Sequence, residues 1–100
     1  FDSVELLPGM ILSNEPGYYK ENEYGIRTEN LVVIKENNNN KLYFETISWC
    51  PIDLDLIDNS ILDQIERNWL NKYHKRVFDT LETHLENEER DWLKEVTSEI

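Results

Sequence analysis

The fold of the first half of the chain is decided by residues 13–34, which read SNEPGYYKENEYGIRTENLVVI. A proline restricts the residue before it to extended geometry, so Glu15 is expected at a strand end, with a stiff turn at Glu15-Pro16-Gly17. Gly25 precedes a run from Ile26 to Ile34 that is rich in β-branched and other apolar residues, which is typical of a β-strand. The last part of that run, residues 31–34, is apolar on both faces. This predicts a strand that is covered on both sides.

Further strand signals lie on either side of this stretch. Pro8-Gly9 is a turn dipeptide, and the apolar run 10–12 after it indicates the first strand. The asparagines at 37–40 predict a hairpin tip, after which residues 41–47 alternate between apolar and polar side chains. Residues 10–49 are therefore predicted to form a strand meander.

The second half of the chain changes to helical periodicity. Asp63 and Glu66 have the spacing of a capping box, in which two side chains close the first turn of a helix. Apolar residues then recur every four positions and predict a helix of about five turns with one buried face. A shorter helix is expected to follow and to bury Trp92, Leu93 and Val96. The predicted fold class is α+β, with the sheet first and the helices second. The predicted apolar face of the long helix comprises Ile65, Trp69, Tyr73, Val77, Leu81 and Leu85.

Composition narrows the class of partners. The 100 residues include 21 Asp and Glu against 10 Lys and Arg, which gives a formal net charge of −11. That charge repels phosphate backbones, so nucleic acid is not expected as a partner. No apolar run is long enough to cross a membrane, and no membrane partner is expected. The single cysteine, Cys50, excludes an internal disulfide and fits a reducing compartment.

Two glutamates are candidates for chemistry. Glu29 stands two residues after Arg27, and alternate residues of a strand share a face. The apolar run begins just beyond Glu29, so its carboxylate is expected in a covered region, where a charge is costly unless it is paired or bound to a metal. Glu15 follows another strand of the same sheet, and two inward acids repel each other unless a cation lies between them. The residues alone leave two interpretations open: a metal ion between the acids, or a structural ion pair between Arg27 and Glu29.

The other residues that could carry chemistry have simpler explanations. His74 and His84 stand ten positions apart on the predicted helix, face different directions and lack metal-site spacing. His74 is expected to be a hydrogen-bonded helix histidine. The tryptophans are expected to be core or interface anchors rather than a ligand platform: Trp49, Trp69 and Trp92.

Two motifs resemble those of a known enzyme family. Ser13–Tyr19 and Gly25–Leu31 resemble the two glutamate motifs of the Xaa-Pro aminopeptidases (aminopeptidase P), which belong to the pita-bread metallopeptidases. The two glutamates stand 14 residues apart, in the order found in that family. Thr28 departs from the bulkier apolar residue usual at its position.

The resemblance extends into the second half of the chain. Residues 49–53 and 69–74 resemble the C-terminal extension of the longer, cytosolic-type members, so nearly the whole chain is covered. The resemblance therefore implies the C-terminal part of a catalytic pita-bread domain in residues 1–49 and a helical C-terminal extension in residues 50–100.

The resemblance also implies a role for each matching residue. Glu29 would bridge two divalent ions. Glu15 would bind one of them and carry a proton from the attacking water to the departing proline nitrogen. Arg27 and Tyr19 would hydrogen-bond these ligands and orient them. Oxygen ligands favour hard ions, so Mn²⁺ is the expected metal.

The remaining implications concern partners. In that family, two Asp ligands and one His ligand come from sequence upstream of the Glu15 motif, so the chain is expected to be a fragment that is inactive alone. The expected substrate is a peptide with proline in the second position. The expected assembly is a homodimer supported by the helical extension, and the expected location is the cytoplasm. Two alternatives remain open: a prolidase-type dipeptidase of the same fold, and a non-catalytic interaction or dimerisation module.

Overall fold

A computed structural model describes residues 3–100, and the chain divides into two units, residues 1–48 and residues 49–100. None of the helices in the described residues could cross a lipid bilayer. The described strands of the first unit are β1 (Ile11–Asn14), β2 (Gly17–Lys20), β3 (Tyr24–Arg27), β4 (Asn30–Glu36) and β5 (Leu42–Thr46). The second unit contains α1 (Gln64–Leu81) and α2 (Asn87–Val96), with short 3-10 turns at Leu54–Leu56 and Glu82–His84.

Strands β1 to β4 form a long antiparallel ribbon, and β5 pairs with β4 to complete the predicted meander. β1 pairs with β4 and β2 pairs with β3, so the three-stranded sheet has the order β1-β4-β5. The turn predicted at Glu15-Pro16-Gly17 was wrong, because this step does not reverse the chain and Gly17 already begins β2. The reversal occurs at the tip of the ribbon, where Asn22 has a positive φ of 59° that asparagine tolerates better than most residues.

β4 is the central strand of the three-stranded sheet. One face of β4 is buried at Val32 and Ile34, whereas Leu31 on the opposite face is 41% exposed. The described residues therefore leave the second face of β4 open, and the predicted cover for that face would have to come from neighbours outside this half of the chain. Strands β1 and β5 hydrogen-bond to the edges of β4, and such neighbours flank a strand without covering its faces.

The asparagine tract forms the predicted hairpin tip between β4 and β5. Asn37 Oδ1 accepts the N–H groups of Asn39 and Lys41 at 2.9 and 3.1 Å. Asn40 adopts a left-handed φ of 58°. Local side-chain bonds of this kind stabilise turns at the expense of strand pairing, so the hairpin prediction is confirmed.

In the second unit, α1 begins where the capping box predicts. The Asp63 carboxylate accepts the N–H of Glu66 at 2.8 Å, and the Glu66 carboxylate accepts the N–H of Asp63 at 3.0 Å. The core of this unit is formed by Tyr73, Val77 and Leu93. Partly buried apolar residues pack around that core: Trp49, Ile52, Phe78, Leu81, Leu85 and Val96.

The predicted burial of Trp92 was wrong for the described residues, and two residues of the predicted apolar face of α1 are exposed as well. Ile65 and Trp69, in the first turns of α1, are 80% and 53% exposed, and Trp92 on α2 is 56% exposed. The core of the unit lies against the later turns of α1, so the apolar pattern extends beyond the part of the helix that the unit covers. Leu85 lies outside the helix, because α1 ends at Leu81 and a 3-10 turn follows.

His74 is fully buried on α1, and its Nε2 accepts the N–H of Ile52 at 3.0 Å. The expectation of a hydrogen-bonded histidine is met at this nitrogen only, since Nδ1 has no hydrogen-bond partner among the described residues. Burial lowers the pKa of His74 below its ordinary value, because desolvation penalises the charged ring. The neutral ring, which can accept the Ile52 N–H, is therefore the form that fits the fold.

Acid is expected to destabilise the second unit through His74. The unfolded chain takes up a proton near the ordinary pKa of 6.5, and the folded chain does so only at lower pH. The free energy of unfolding is therefore retained above pH 6.5 and falls as the pH drops below it, by at most about 1.4 kcal/mol per pH unit for one proton. Urea unfolding of the complete protein at several pH values, followed by tryptophan fluorescence, measures this loss.

The exposed His84 supplies the control. His84→Gln should keep the pH dependence of the wild type, whereas His74→Gln should flatten it. Identical pH dependence in the wild type and in His74→Gln would contradict the role given to His74.

Candidate metal centre

Glu15 and Glu29 face each other across the ribbon. Asn14 pairs with Asn30 at the end of the β1–β4 ladder, and the β2–β3 ladder resumes with the pair Gly17 and Arg27. Between the two ladders, residues 15–16 therefore stand opposite residues 28–29, and the register continues without a bulge. A hydrogen bond from the Thr28 N–H to the Pro16 carbonyl at 3.1 Å holds this register between the ladders. Glu15 is thus the register partner of Glu29.

Strand alternation collects the predicted site residues on one face of the ribbon. Side chains two apart on a strand share a face, and directly paired residues lie on the same face. Glu15 therefore lies on the same face of the ribbon as Tyr19. The opposing side of the ribbon places Arg27 and Glu29 on that face as well. Like charges placed directly opposite each other are destabilising, so the two carboxylates need positive charge nearby.

Arg27 supplies positive charge at this place. Its Nε lies 3.1 Å from Oε2 of Glu29. A side-chain hydrogen bond with Tyr19 is the largest cause that raises the pKa of Arg27, and charge interactions with Tyr19, Glu29 and Glu15 add to it. All four predicted site residues therefore converge on one guanidinium. The ion-pair interpretation of Arg27 and Glu29 is confirmed as a contact.

The expectation that Glu29 lies in a covered region was wrong for the described residues. Its side chain is 37% exposed, and that of Arg27 is 53% exposed. Glu29 also does not share a continuous strand with Arg27, because β3 ends at Arg27 and β4 begins at Asn30. The connection between two ladders leaves Glu29 at the surface of this unit, where a ligand can reach both acids.

Two glycines make room for Tyr19 beside Arg27. A Cβ atom at Gly17 would lie 2.8 Å from the Tyr19 hydroxyl, and one at Gly25 would lie 2.5 Å from ring carbon Cδ1 of Tyr19. The Tyr19 ring therefore lies directly over both glycine backbones. Sequence reasoning treated these glycines only as turn and strand-start signals and missed this function.

The donor atoms fit part of a metal site. Carboxylate oxygens are the ligands that hard divalent ions prefer. The part of the chain that the structure describes contains no group of three or more His, Cys, Asp or Glu side chains placed to hold a metal ion. Glu15 and Glu29 can therefore supply two ligands, and the others would have to come from polypeptide outside the described residues.

Comparison with known proteins identifies the class. Residues 1–36 match the family model described as metallopeptidase family M24, and residues 40–100 match the model described as the C-terminal region of peptidase M24. The chain belongs to metallopeptidase family M24. The family resemblance and the α+β fold predicted from the sequence are confirmed.

The individual relatives narrow the class further. A probable Xaa-Pro aminopeptidase P from Coprinopsis cinerea is 42% identical over 109 residues, which cover 100% of this chain and 18% of that protein. Aminopeptidase P1 from Lotus japonicus is 42% identical over 106 residues, covering 98% of this chain and 16% of that protein. The chain therefore spans less than a fifth of the length of these relatives.

A solved structure gives the same answer for the fold. The X-prolyl aminopeptidase from Caenorhabditis elegans, described as a cytosolic enzyme with a di-nuclear active site, superposes with a TM-score of 0.83 and 35% identity. The match covers 95% of this chain and 17% of that enzyme. The fold is thus the C-terminal part of the pita-bread fold.

Proposed function

We propose that this chain is the C-terminal part of an Xaa-Pro aminopeptidase, an enzyme that removes the N-terminal residue from peptides with proline in the second position. The observation that carries the proposal is the placement of Glu15 opposite Glu29 with Arg27 beside them. The relatives support the proposal, because proteins named as aminopeptidases P match nearly the whole chain. The remaining ligands, two Asp and one His, would come from the upstream part of the same enzyme.

The proposed metal site contains two divalent ions, with Mn²⁺ as the preferred ion because the ligands of this chain are oxygens. Glu29 would bridge both ions, and Glu15 would bind one of them. When bound, the ions supply a nucleophilic water at neutral pH and polarise the carbonyl that is attacked. Arg27 would orient the Glu29 carboxylate, because its Nε donates to Glu29 Oε2.

Glu15 is proposed to move the proton that the reaction requires. Hydrolysis forms a bond from the water oxygen to the carbonyl carbon and breaks the bond from that carbon to the proline nitrogen. The water loses a proton, and the nitrogen must gain one to leave as a secondary amine. A Glu15 carboxylate oxygen would accept the first proton and donate it to the nitrogen, in the manner of general acid–base catalysis.

The helical unit is proposed to support a homodimer. The first turns of α1 and the turn before it present exposed apolar side chains at four-residue spacing, and such faces are typical of interfaces. The cytosolic description of the Caenorhabditis elegans enzyme supports a cytoplasmic location for this one. The residues of this exposed face are Ile61, Ile65 and Trp69.

A substrate panel tests the proposed function. The complete enzyme loaded with Mn²⁺ is given the tripeptide Arg-Pro-Pro, the dipeptide Arg-Pro and the tripeptide Arg-Ala-Ala, and release of free arginine is measured. We expect cleavage of Arg-Pro-Pro to dominate by kcat/KM. A preference for Arg-Pro would indicate a prolidase-type dipeptidase. If the folded, metal-loaded protein cleaves none of the peptides, the non-catalytic interaction module is the alternative that remains.

A single methyl group at Gly25 is expected to disturb the site. In Gly25→Ala, the added Cβ would meet the Tyr19 ring, so the ring must leave its place beside Arg27. Substitutions among groups that orient metal ligands typically cost 10- to 100-fold in affinity or activity, and we expect about that loss in kcat/KM of the complete enzyme. Ile26→Ala, one residue along and on the opposite face of β3, is the matched control. Wild-type kcat/KM in Gly25→Ala would remove Tyr19 from the orienting network.

A further inference from the structure

The hydroxyl of Ser48 makes two hydrogen bonds to the start of β4. Its Oγ accepts the N–H of Leu31 at 2.9 Å and donates to Oδ1 of Asn30 at 3.0 Å. A serine hydroxyl has one proton to donate and lone pairs that accept, so it can form both bonds at once. Ser48 thereby connects the chain that leaves β5 to the residue directly after Glu29.

The position of Ser48 continues the register of the sheet. The β4–β5 ladder includes the pair Val32 and Thr46, so two residues further along, Ser48 lies opposite Asn30. On the other edge of β4, Asn30 pairs with Asn14. A row of three residues therefore crosses the whole sheet, and it is the last row before the two glutamates.

We propose that Ser48 is a positioning residue that fixes Glu29 through Asn30. The inference rests on the proposed function, because it concerns the same metal centre. Glu29 is joined to Asn30 by a peptide bond, so fixing the Asn30 side chain and the Leu31 amide fixes the backbone from which the Glu29 carboxylate projects. Glu29 otherwise stands between two ladders, where its own backbone belongs to neither. A ligand held in place before the ion arrives binds that ion more tightly than a mobile one.

Loss of the Ser48 hydroxyl would release two groups together. The Leu31 N–H would lose its acceptor and Asn30 Oδ1 would lose a donor, and the bond between the two side chains is partly buried. Without these two bonds the start of β4 is no longer held to residue 48, which permits a local rearrangement there. The rearrangement would move the first residue of β4 and change the separation of Glu29 from Glu15.

The test is titration of the metal-stripped complete enzyme with MnCl₂ by calorimetry. Ser48→Ala is expected to weaken Mn²⁺ binding about 10- to 100-fold, the usual effect of losing a group that orients a ligand. Ser48→Thr keeps a hydroxyl and should restore affinity to within about threefold of the wild type. Ser60→Ala is the matched control, because the Ser60 hydroxyl also makes a hydrogen bond, to Asp58 at 2.6 Å, in the other unit.

The Asn30 side supplies a second variant in case Ser48→Ala does not fold. Asn30→Ala removes the acceptor but keeps the Ser48–Leu31 bond, and it should weaken Mn²⁺ binding as Ser48→Ala does. Since the two residues act as one unit, the double variant should bind little more weakly than either single variant. The thermal midpoint of each metal-free variant checks that the protein is folded.

Three results would overturn the role of Ser48: wild-type Mn²⁺ affinity in folded Ser48→Ala, the same weakening in Ser48→Thr, or wild-type affinity in Asn30→Ala. Glu29→Ala, measured under the same conditions, separates failure of the positioning role of Ser48 from failure of the proposed function. If Glu29→Ala weakens binding and Ser48→Ala does not, only the positioning role is wrong. If Glu29→Ala also binds Mn²⁺ normally, the metal centre itself is wrong.

Discussion

Replacing Glu29 with alanine in the complete enzyme is expected to abolish the binding of at least one of two divalent ions. Glu29 is proposed as the ligand that both ions share, and its replacement also removes the 3.1 Å partner of the Arg27 guanidinium. A guanidinium that Glu29 no longer neutralises would repel the ions further. Metal content after dialysis, measured by mass spectrometry, should fall from two ions per protomer to one or none, and peptidase activity should be lost with it.

The ribbon supplies a matched control for this experiment. Glu23 lies at the tip of the same ribbon and pairs with Lys20 at 2.9 Å, so Glu23→Ala removes an ion-paired carboxylate from the same structural element. That variant should keep both ions and its activity. Full metal content in folded Glu29→Ala would refute the ligand role of Glu29.

Replacing Glu15 with glutamine is expected to reduce mainly the rate of chemistry. Glutamine keeps a carbonyl oxygen of similar size and position, but its amide cannot accept and return a proton. General acid–base groups contribute about 10²- to 10⁴-fold, so kcat should fall by that factor with a smaller change in KM. Steady-state kinetics of the Mn²⁺-loaded complete enzyme on Arg-Pro-Pro would measure both constants.

Glu21→Gln, at the ribbon tip, makes the same chemical change away from the facing pair and should leave kcat unchanged. Glu21 lies in the turn between β2 and β3. Turnover at the wild-type rate in Glu15→Gln would remove Glu15 as the proton carrier while leaving its ligand role open to the metal analysis.

Local signals predicted the elements of this fold well. The Asp63–Glu66 capping box set the start of α1, and the asparagine tract set the β4–β5 turn, because each depends on side-chain bonds within a few residues. Burial was predicted less well. Ile65 and Trp69 follow the apolar period of α1 but are exposed, since a pattern shows that a face is apolar and does not show whether this chain covers it.

The candidate site was predicted by residue identity but not by arrangement. Glu15, Tyr19, Arg27 and Glu29 were identified from motifs, and they do come together around Arg27. The turn predicted at Glu15-Pro16-Gly17 obscured the reason, which is one uninterrupted register. A usable signal was present: Glu15 and Glu29 stand seven residues before and after Asn22, so a hairpin centred on that residue places them opposite each other.

The contribution of Ser48 could not have been read from local sequence. Ser48 stands 18 residues after Asn30, and the bond between their side chains exists only because β5 returns along β4. The space over Gly17 and Gly25 likewise depends on the register of the β2–β3 ladder. Contacts of this kind follow from strand pairing. The first half of the sequence predicted where the strands lie more clearly than which strands pair with each other.

Anomalous diffraction at the manganese edge, from crystals of the complete enzyme grown with MnCl₂, tests the facing-glutamate metal centre most directly. We expect two anomalous peaks at the gap between the ladders, both in contact with Glu29 oxygens and one also with a Glu15 oxygen. Manganese peaks that touch neither carboxylate, or none at this gap in a fully loaded crystal, would contradict it.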